Sequence, residues 1–167
     1  MECRVPDKRN RRINVLFVCT GNICRSPMAE AVFAHLASQA GLADRFEVAS
    51  AGTGDWHVGE SPHAGTLDVL RRHDIPTIPG KRAQTIHASM LTRADYIIAL
   101  DDGHVGDLSE YGKPADGKVS RLLDYAPDAP TRNVPDPYYT GQYEEVYRLV
   151  TAGVRGLLEH IRQREGI

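Results

Sequence analysis

A mostly apolar run, "INVLFV" at 13–18, leads straight into "CTGNICR" at 19–25 and then into "SPMAEAVFAHLASQAG" at 26–41. That order leaves few options: a strand, a tight loop and a helix. The near-continuous apolar run is what a strand buried on both faces shows. Ser26 offers an N-cap, Pro27 suits the first helical position, and Gly41 after Ala40 offers a stop.

The rest of the chain repeats this alternation. "RFEVAS" (45–50), "DYIIAL" (95–100) and "KVSRLL" (118–123) read as further strands. Ser61-Pro62 opens a second helical segment to about His73. In the final helix Tyr143, Val146, Tyr147, Val150, Val154, Leu157 and Ile161 share one face, a core-packing stripe. Its first turn carries Glu144 and Glu145, and Arg162 and Arg164 lie near its end, as the helix dipole prefers. Between the fourth strand and this helix, 124–141 is stiffened by Pro127, Pro130, Pro135 and Pro137 and reads as a loop. The expected fold is α/β: one domain, a doubly wound sheet of about four parallel strands flanked by helices. Ligands of such sheets bind beyond the carboxyl ends of the strands, where Cys19 and the proline-rich loop both belong.

Composition removes several function classes. With 167 residues the chain suits a single domain, and a net charge of −2 provides no global field for nucleic acid. No run approaches the roughly 18 apolar residues of a membrane span. Residues 1–12, "MECRVPDKRNRR", are basic and polar without the apolar centre of an export signal, and read as a disordered leader. The cysteines are Cys3, Cys19 and Cys24, an odd number without zinc-type pairing. They point to a reducing, cytoplasmic setting and to reactivity rather than to a disulfide scaffold. No histidine spacing suggests a metal site, and no cofactor is implied.

A loop from Cys19 to Arg25 can curl so that successive backbone N–H groups point inward, and the following helix adds the positive end of its dipole. The result is a cradle for an oxyanion. Gly21 is expected to allow the torsions of the curl, and Asn22 tolerates left-handed geometry. Arg25 brings a planar fork for two phosphate oxygens. In that positive setting the Cys19 thiol is expected to ionise and act as a phosphoryl acceptor. A lone buried cysteine is ordinarily inert; the company of Arg25, Ser26 and Pro27 argues otherwise here. A nucleotide loop of the G-x-x-x-x-G-K-[ST] kind is absent, as are the three spaced glycines of a dinucleotide fold.

"VCTGNICRSP" together with "DPYY" at 136–139 resembles the low-molecular-weight protein tyrosine phosphatases, over about residues 13–163. The resemblance implies a phosphatase domain at 13–167 whose phosphate loop comprises Thr20, Gly21, Asn22, Ile23, Cys24, Arg25 and Ser26. It implies Cys19 as the nucleophile that becomes a phosphocysteine, and Arg25 as the holder of the phosphoryl oxygens. Ser26 would hydrogen-bond the thiolate, and Asn22 would shape the loop through Ser50. Asp136 would be the general acid, a role that chemistry also requests. A tyrosinate leaves poorly unprotonated, since the parent phenol ionises only near a pKa of about 10. A carboxylic acid beside it corrects this, and can later deprotonate the attacking water. Trp56, Tyr138 and Tyr139 would wall a slot for a flat ring. Isoleucine at Ile23 resembles the tyrosine-directed members, where phosphoarginine-directed ones carry threonine.

Substrates would thus be tyrosine-phosphorylated proteins, and a monomer is expected. Oxidation could join Cys19 to Cys24 in a protective disulfide, as in similar family members. Where the family often carries a histidine, this chain reads "PGKRAQ", so that a supporting hydrogen bond is missing or is replaced by Lys81. His73 and Asp101 are expected as a buried polar pair below the site. His35, His57, His63, His87, His104 and His160 are expected on the surface or in loops. Three rivals stand beside this reading. A protein arginine phosphatase would share the cup, an arsenate reductase would need further cysteines, and a phosphate-binding module would lack turnover. No cysteine follows Cys24.

Overall fold

In the computed structural model, which describes residues 11–167, four parallel strands lie in the order β2-β1-β3-β4. They are β1 (Ile13–Cys19), β2 (Phe46–Gly52), β3 (Tyr96–Ala99) and β4 (Val119–Arg121). The expected leader at 1–12, with Cys3, falls almost wholly outside the described residues.

The alternation of side chains along β1 explains its unbroken apolar run. Val15, Phe17 and Cys19 belong to one core cluster with Ile98 and Leu100. On that side lie α1 (Arg25–Gln39), α2 (Ala64–Arg72) and α6 (Tyr143–Glu165). Leu16 and Val18 face the opposite way, toward Leu91 of α3 (Ala88–Arg93) and Leu108 of α4 (Asp102–Ser109). Helices therefore cover both faces, and β1 is paired on both edges, with β2 on one side and β3 on the other. A chain that leaves β1 in opposite directions opens a crevice above that strand's carboxyl end. Cys19 is the last residue of β1.

The expected stripe on α6 is buried at Val146, Val150, Val154, Leu157 and Ile161, with Tyr143 and Tyr147 packed at its margin. This helix presses so closely on the turn at 122–125 that a Cβ on Gly156 would stand 1.8 Å from the Tyr125 carbonyl oxygen. Only glycine fits there.

Two helix starts differ from expectation. The first helix begins at Arg25, with Cys24 at the cap position and no side-chain cap. Ser26 is already inside the helix, its hydroxyl engaged in the loop, and Pro27 sits in the first turn, where a missing N–H costs nothing. The second helix begins at Ala64 rather than at Ser61-Pro62. The cap is the His63 ring, whose Nδ1 accepts from Gly65 N at 3.0 Å. Three short helices, α3, α4 and α5 (Pro137–Thr140), occupy stretches without a helical expectation.

Candidate active site

The curl at 19–25 is held from outside. Thr53 N donates to the Cys19 carbonyl at 2.9 Å and Gly54 N to that of Thr20 at 2.9 Å. His63 N donates to the Ile23 carbonyl at 2.7 Å, and Thr66 Oγ1 to that of Cys24 at 3.1 Å. In a trans peptide the N–H points opposite to the carbonyl. With those four carbonyls turned outward, the N–H groups of Thr20, Gly21, Cys24 and Arg25 turn into the loop. Among the described residues none of these four donates to a backbone or side-chain acceptor. Convergent free amides at a helix start form an anion-binding nest.

The torsions divide the work differently from expectation. Asn22 adopts the left-handed conformation, φ 58°, while Gly21 is not among the positive-φ residues. Gly21 is small for another reason: a Cβ there would lie 2.7 Å from the His57 ring. Glycine lets His57 lie over the loop.

Beneath the loop, Asn22 Nδ2 donates to Ser26 Oγ (2.8 Å) and Ser50 Oγ (2.9 Å), and its Oδ1 accepts from Gln84 N (3.0 Å). The backbone donor fixes the orientation of the amide. Ser50 Oγ in turn donates a hydrogen bond to Glu30 Oε1 at 2.7 Å. Ser26 Oγ, already an acceptor from Asn22, has its hydrogen free for Cys19 Sγ at 2.9 Å. The sulfur, on a residue 2% exposed, thus receives an oriented hydroxyl. Glu30 is itself buried and pairs with Lys81 Nζ at 3.1 Å, and Lys81 also donates to the Ser50 carbonyl at 3.1 Å. Of the two options left open at "PGKRAQ", the lysine supplies the bond.

Arg25 is buried and its two ends are treated unequally. Nη1 is fixed by Asp101 Oδ2 at 2.7 Å and by the Val134 carbonyl at 2.9 Å. Nη2 makes only long contacts, 3.4 Å to Thr20 Oγ1 and 3.5 Å to both Asp136 Oδ2 and His104 Nε2. Burial alone would push the Asp101 carboxyl up, but the guanidinium and its neighbours hold it below the usual carboxylate range. Asp136 caps α5, with Oδ1 accepting from Tyr138 N at 3.0 Å, which leaves Oδ2 turned toward the cup.

Cys19, Thr20, Gly21, Ile23, Cys24, Arg25 and Asp136 line one cavity of about 190 Å³, whose rim is Trp56, His57, Tyr138 and Tyr139. Trp56 folds back over Gly54 and remains 66% exposed, and Tyr139 is 83% exposed, so the aromatic walls stand in solvent. Cys24 differs from Cys19 in its surroundings. It lies buried with its sulfur 3.6 Å from the Tyr143 hydroxyl, and burial pushes its thiol up to about 11.

The expected His73–Asp101 pair does not exist. His73 ends α2, stacks on Tyr147 with ring centroids 3.9 Å apart, and pairs with Glu144. Asp101's histidine is His104, expected on the surface or in a loop but placed in α4, 2% exposed and pressed against the site. His57, expected on the surface or in a loop, does lie in the loop after β2, and its ring also lines the cup. The stretch "DDGH" directly after an apolar strand held a usable signal for His104, since D-x-x-H can form a capping box. Nothing in the sequence pairs Glu30 with Lys81, 51 positions later.

The family described as "Low molecular weight phosphotyrosine protein phosphatase" matches residues 14–166. The Bacillus subtilis low molecular weight protein-tyrosine-phosphatase YfkJ is 47% identical over 154 residues, covering 92% of this chain and 98% of its own length. Its crystal structure superimposes with a TM-score of 0.89 over 93% of this chain and 98% of that one. PtpA of Staphylococcus saprophyticus, named in the same way, is 40% identical over 89% of this chain and 94% of its own. A Drosophila arginine phosphatase structure is 30% identical, with a TM-score of 0.80 over 89% of this chain and 97% of that one.

Proposed function

The chain belongs to the low molecular weight phosphotyrosine protein phosphatase family, and on that premise we propose that it hydrolyses phosphotyrosine in proteins through a phosphocysteine on Cys19. The observation that carries the proposal is the sulfur of Cys19, hydrogen-bonded by Ser26, at the floor of a loop whose free amides converge with Arg25.

The phosphate enters as a dianion and takes up the inward amides and the Nη2 end of Arg25. Cys19 attacks phosphorus and the P–O bond to the ring breaks, while Asp136 delivers a proton to the leaving oxygen. The cup provides positioning and charge stabilisation, the main demands of phosphoryl transfer. In the second step Asp136 takes a proton from water, which attacks the phosphocysteine. The Ser26 hydroxyl, aimed by Asn22, stabilises sulfur as it leaves. The exposed rings of Trp56, Tyr138 and Tyr139 flank a flat aryl group, and aryl phosphates serve as small substrates. Ile23 in the loop favours tyrosine over arginine as the phosphate carrier.

The test has three arms. Cys19→Ser abolishes turnover of p-nitrophenyl phosphate. Asp136→Ala slows phenyl phosphate by about 10²–10³-fold and good-leaving-group esters far less; equal losses across the series would remove Asp136 from the acid role. Phosphotyrosyl peptides exceed phosphoarginyl peptides in kcat/KM, and the reverse order would make the chain an arginine phosphatase. An arsenate reductase would need a relay cysteine beyond Cys24, and there is none.

Oxidation belongs to the same site. Peroxide converts the Cys19 thiol to a sulfenic acid, and the Cys24 thiol displaces water from it to form a disulfide. Cys24→Ser should then lose activity irreversibly faster in peroxide; full recovery under reductant would reject the bridge.

A further inference from the structure

His104 sits in the first turn of α4, beside the cup rather than in it, and the catalytic steps above leave it without a task. Its ring is closed in on every side. The Asp101 backbone N–H donates to Nδ1 at 3.2 Å, which puts the ring proton on Nε2. Nε2 lies 2.9 Å from Thr20 Oγ1 and 3.5 Å from Arg25 Nη2. The first is a hydrogen bond from imidazole to hydroxyl. The second brings two N–H donors face to face, so the ring walls off that side of the guanidinium. Burial lowers the imidazole to about 4, with Arg25 acting in the same direction against the carboxylates of Asp101, Asp107 and Asp136. A protonated ring would set a second cation against Arg25.

Thr20 completes the arrangement. Its Oγ1 accepts from His104 Nε2 and, at 3.4 Å, from Arg25 Nη2, the end of the fork that Asp101 does not hold. A guanidinium anchored only at Nη1 can rock in its plane. A weak acceptor on Nη2, itself held by a buried ring, limits that rocking without consuming the charge.

On the phosphatase reading, we propose that His104 and Thr20 are a positioning pair: the neutral imidazole fixes the Thr20 hydroxyl, and that hydroxyl sets the free end of the Arg25 fork for the phosphoryl group in transit. Asp101 fixes where the guanidinium sits, and the pair fixes its orientation. Orientation matters most when the phosphoryl oxygens spread into a plane, so the pair should act on the transition state more than on bound phosphate.

The experiment compares wild type with Thr20→Val, Thr20→Ser, His104→Leu, His104→Gln and the Val/Leu double variant. The readouts are kcat and KM on p-nitrophenyl phosphate, together with binding of orthovanadate and inorganic phosphate by calorimetry. Thr20→Val is expected to lower kcat and weaken vanadate each by about 10-fold, with KM and phosphate affinity within about twofold. Thr20→Ser, which keeps the hydroxyl, and His104→Gln, which keeps an N–H donor at the same reach, should stay within about threefold of wild type. The double variant should lose no more than the worse single one. Thr20→Val with wild-type kcat and vanadate affinity would overturn the proposal, as would losses that multiply in the double variant. If His104→Leu does not fold, the Thr20 pair decides. A wild type that binds vanadate without turnover would refute the phosphatase reading, and the pair would still be judged by its preference for vanadate over phosphate.

Discussion

The two flanks of the cup are built from opposite materials. On one side Asn22, Ser26, Ser50 and Glu30 form a network in which every member is buried. On the other, Arg25 meets Asp101 and Asp136, whose side chains remain 25% and 29% exposed. The buried flank has one arrangement of hydrogen bonds, because each hydroxyl already accepts from Asn22 and has one direction left for its proton. The open flank has charges that water can reach. One side holds a sulfur still, and on the mechanism proposed above the other would handle the protons. In a dry network a missing partner is costly, whereas near water it is partly replaced.

That difference can be broken most severely at Asn22. Asn22→Ala removes two donated bonds and one accepted bond and leaves a left-handed backbone without the side chain that suits it. The expected cost is about 2–4 kcal/mol in urea unfolding, with a loss of at least about 100-fold in kcat as the loop relaxes. An activity loss without destabilisation would show that the network is not what keeps the loop in shape.

The charged flank should betray itself through pH. In the folded chain His104 ionises at about 4 rather than at its ordinary 6.5, so as pH falls between these values the unfolded chain binds a proton that the folded chain refuses. Stability therefore declines over that window, by on the order of 3 kcal/mol in total. Asp101, held below its ordinary range, extends the decline to lower pH, since its contribution disappears as it is protonated in the folded state. His104→Gln should flatten the decline between pH 6.5 and 4 while leaving the one below it. A wild-type curve that is flat over this window would contradict a buried neutral ring.

The smallest effect belongs to the rim. Tyr139→Ala, at a side chain 83% exposed, should change stability by less than about 0.5 kcal/mol and raise KM for aryl phosphates by about two- to fivefold. A larger loss of stability would mean that the rim belongs to the rigid side after all.

The same contrast governs what could be read from the sequence. The β1 run, the seven-residue loop and the α6 stripe are written in consecutive residues or at helical spacing, and the structure carries all three. So is the choice of Asn22 for left-handed geometry. The short helices α3, α4 and α5 were not legible, since four to eight residues carry too little periodicity and their starts depend on tertiary position. His104 escapes a sequence reading because a histidine among polar neighbours has no spacing to mark it, and only the shared cap with Asp101 distinguishes it. His73 differs from expectation for the converse reason: the end of α2 carries it toward Glu144 and Tyr147, and no local pattern records that direction. Lys81 and Glu30 meet only because the segment after α2 returns beneath the loop.

A strand bonded along both edges and roofed on both faces exchanges its amide hydrogens only when the whole domain opens. The seat of the Cys19 sulfur is therefore the most durable part of the molecule. Deuterium should enter the aromatic rim within the first moments of labelling and reach Leu16 to Val18 last, so that heat or denaturant loosens the rim long before it displaces the Cys19 sulfur.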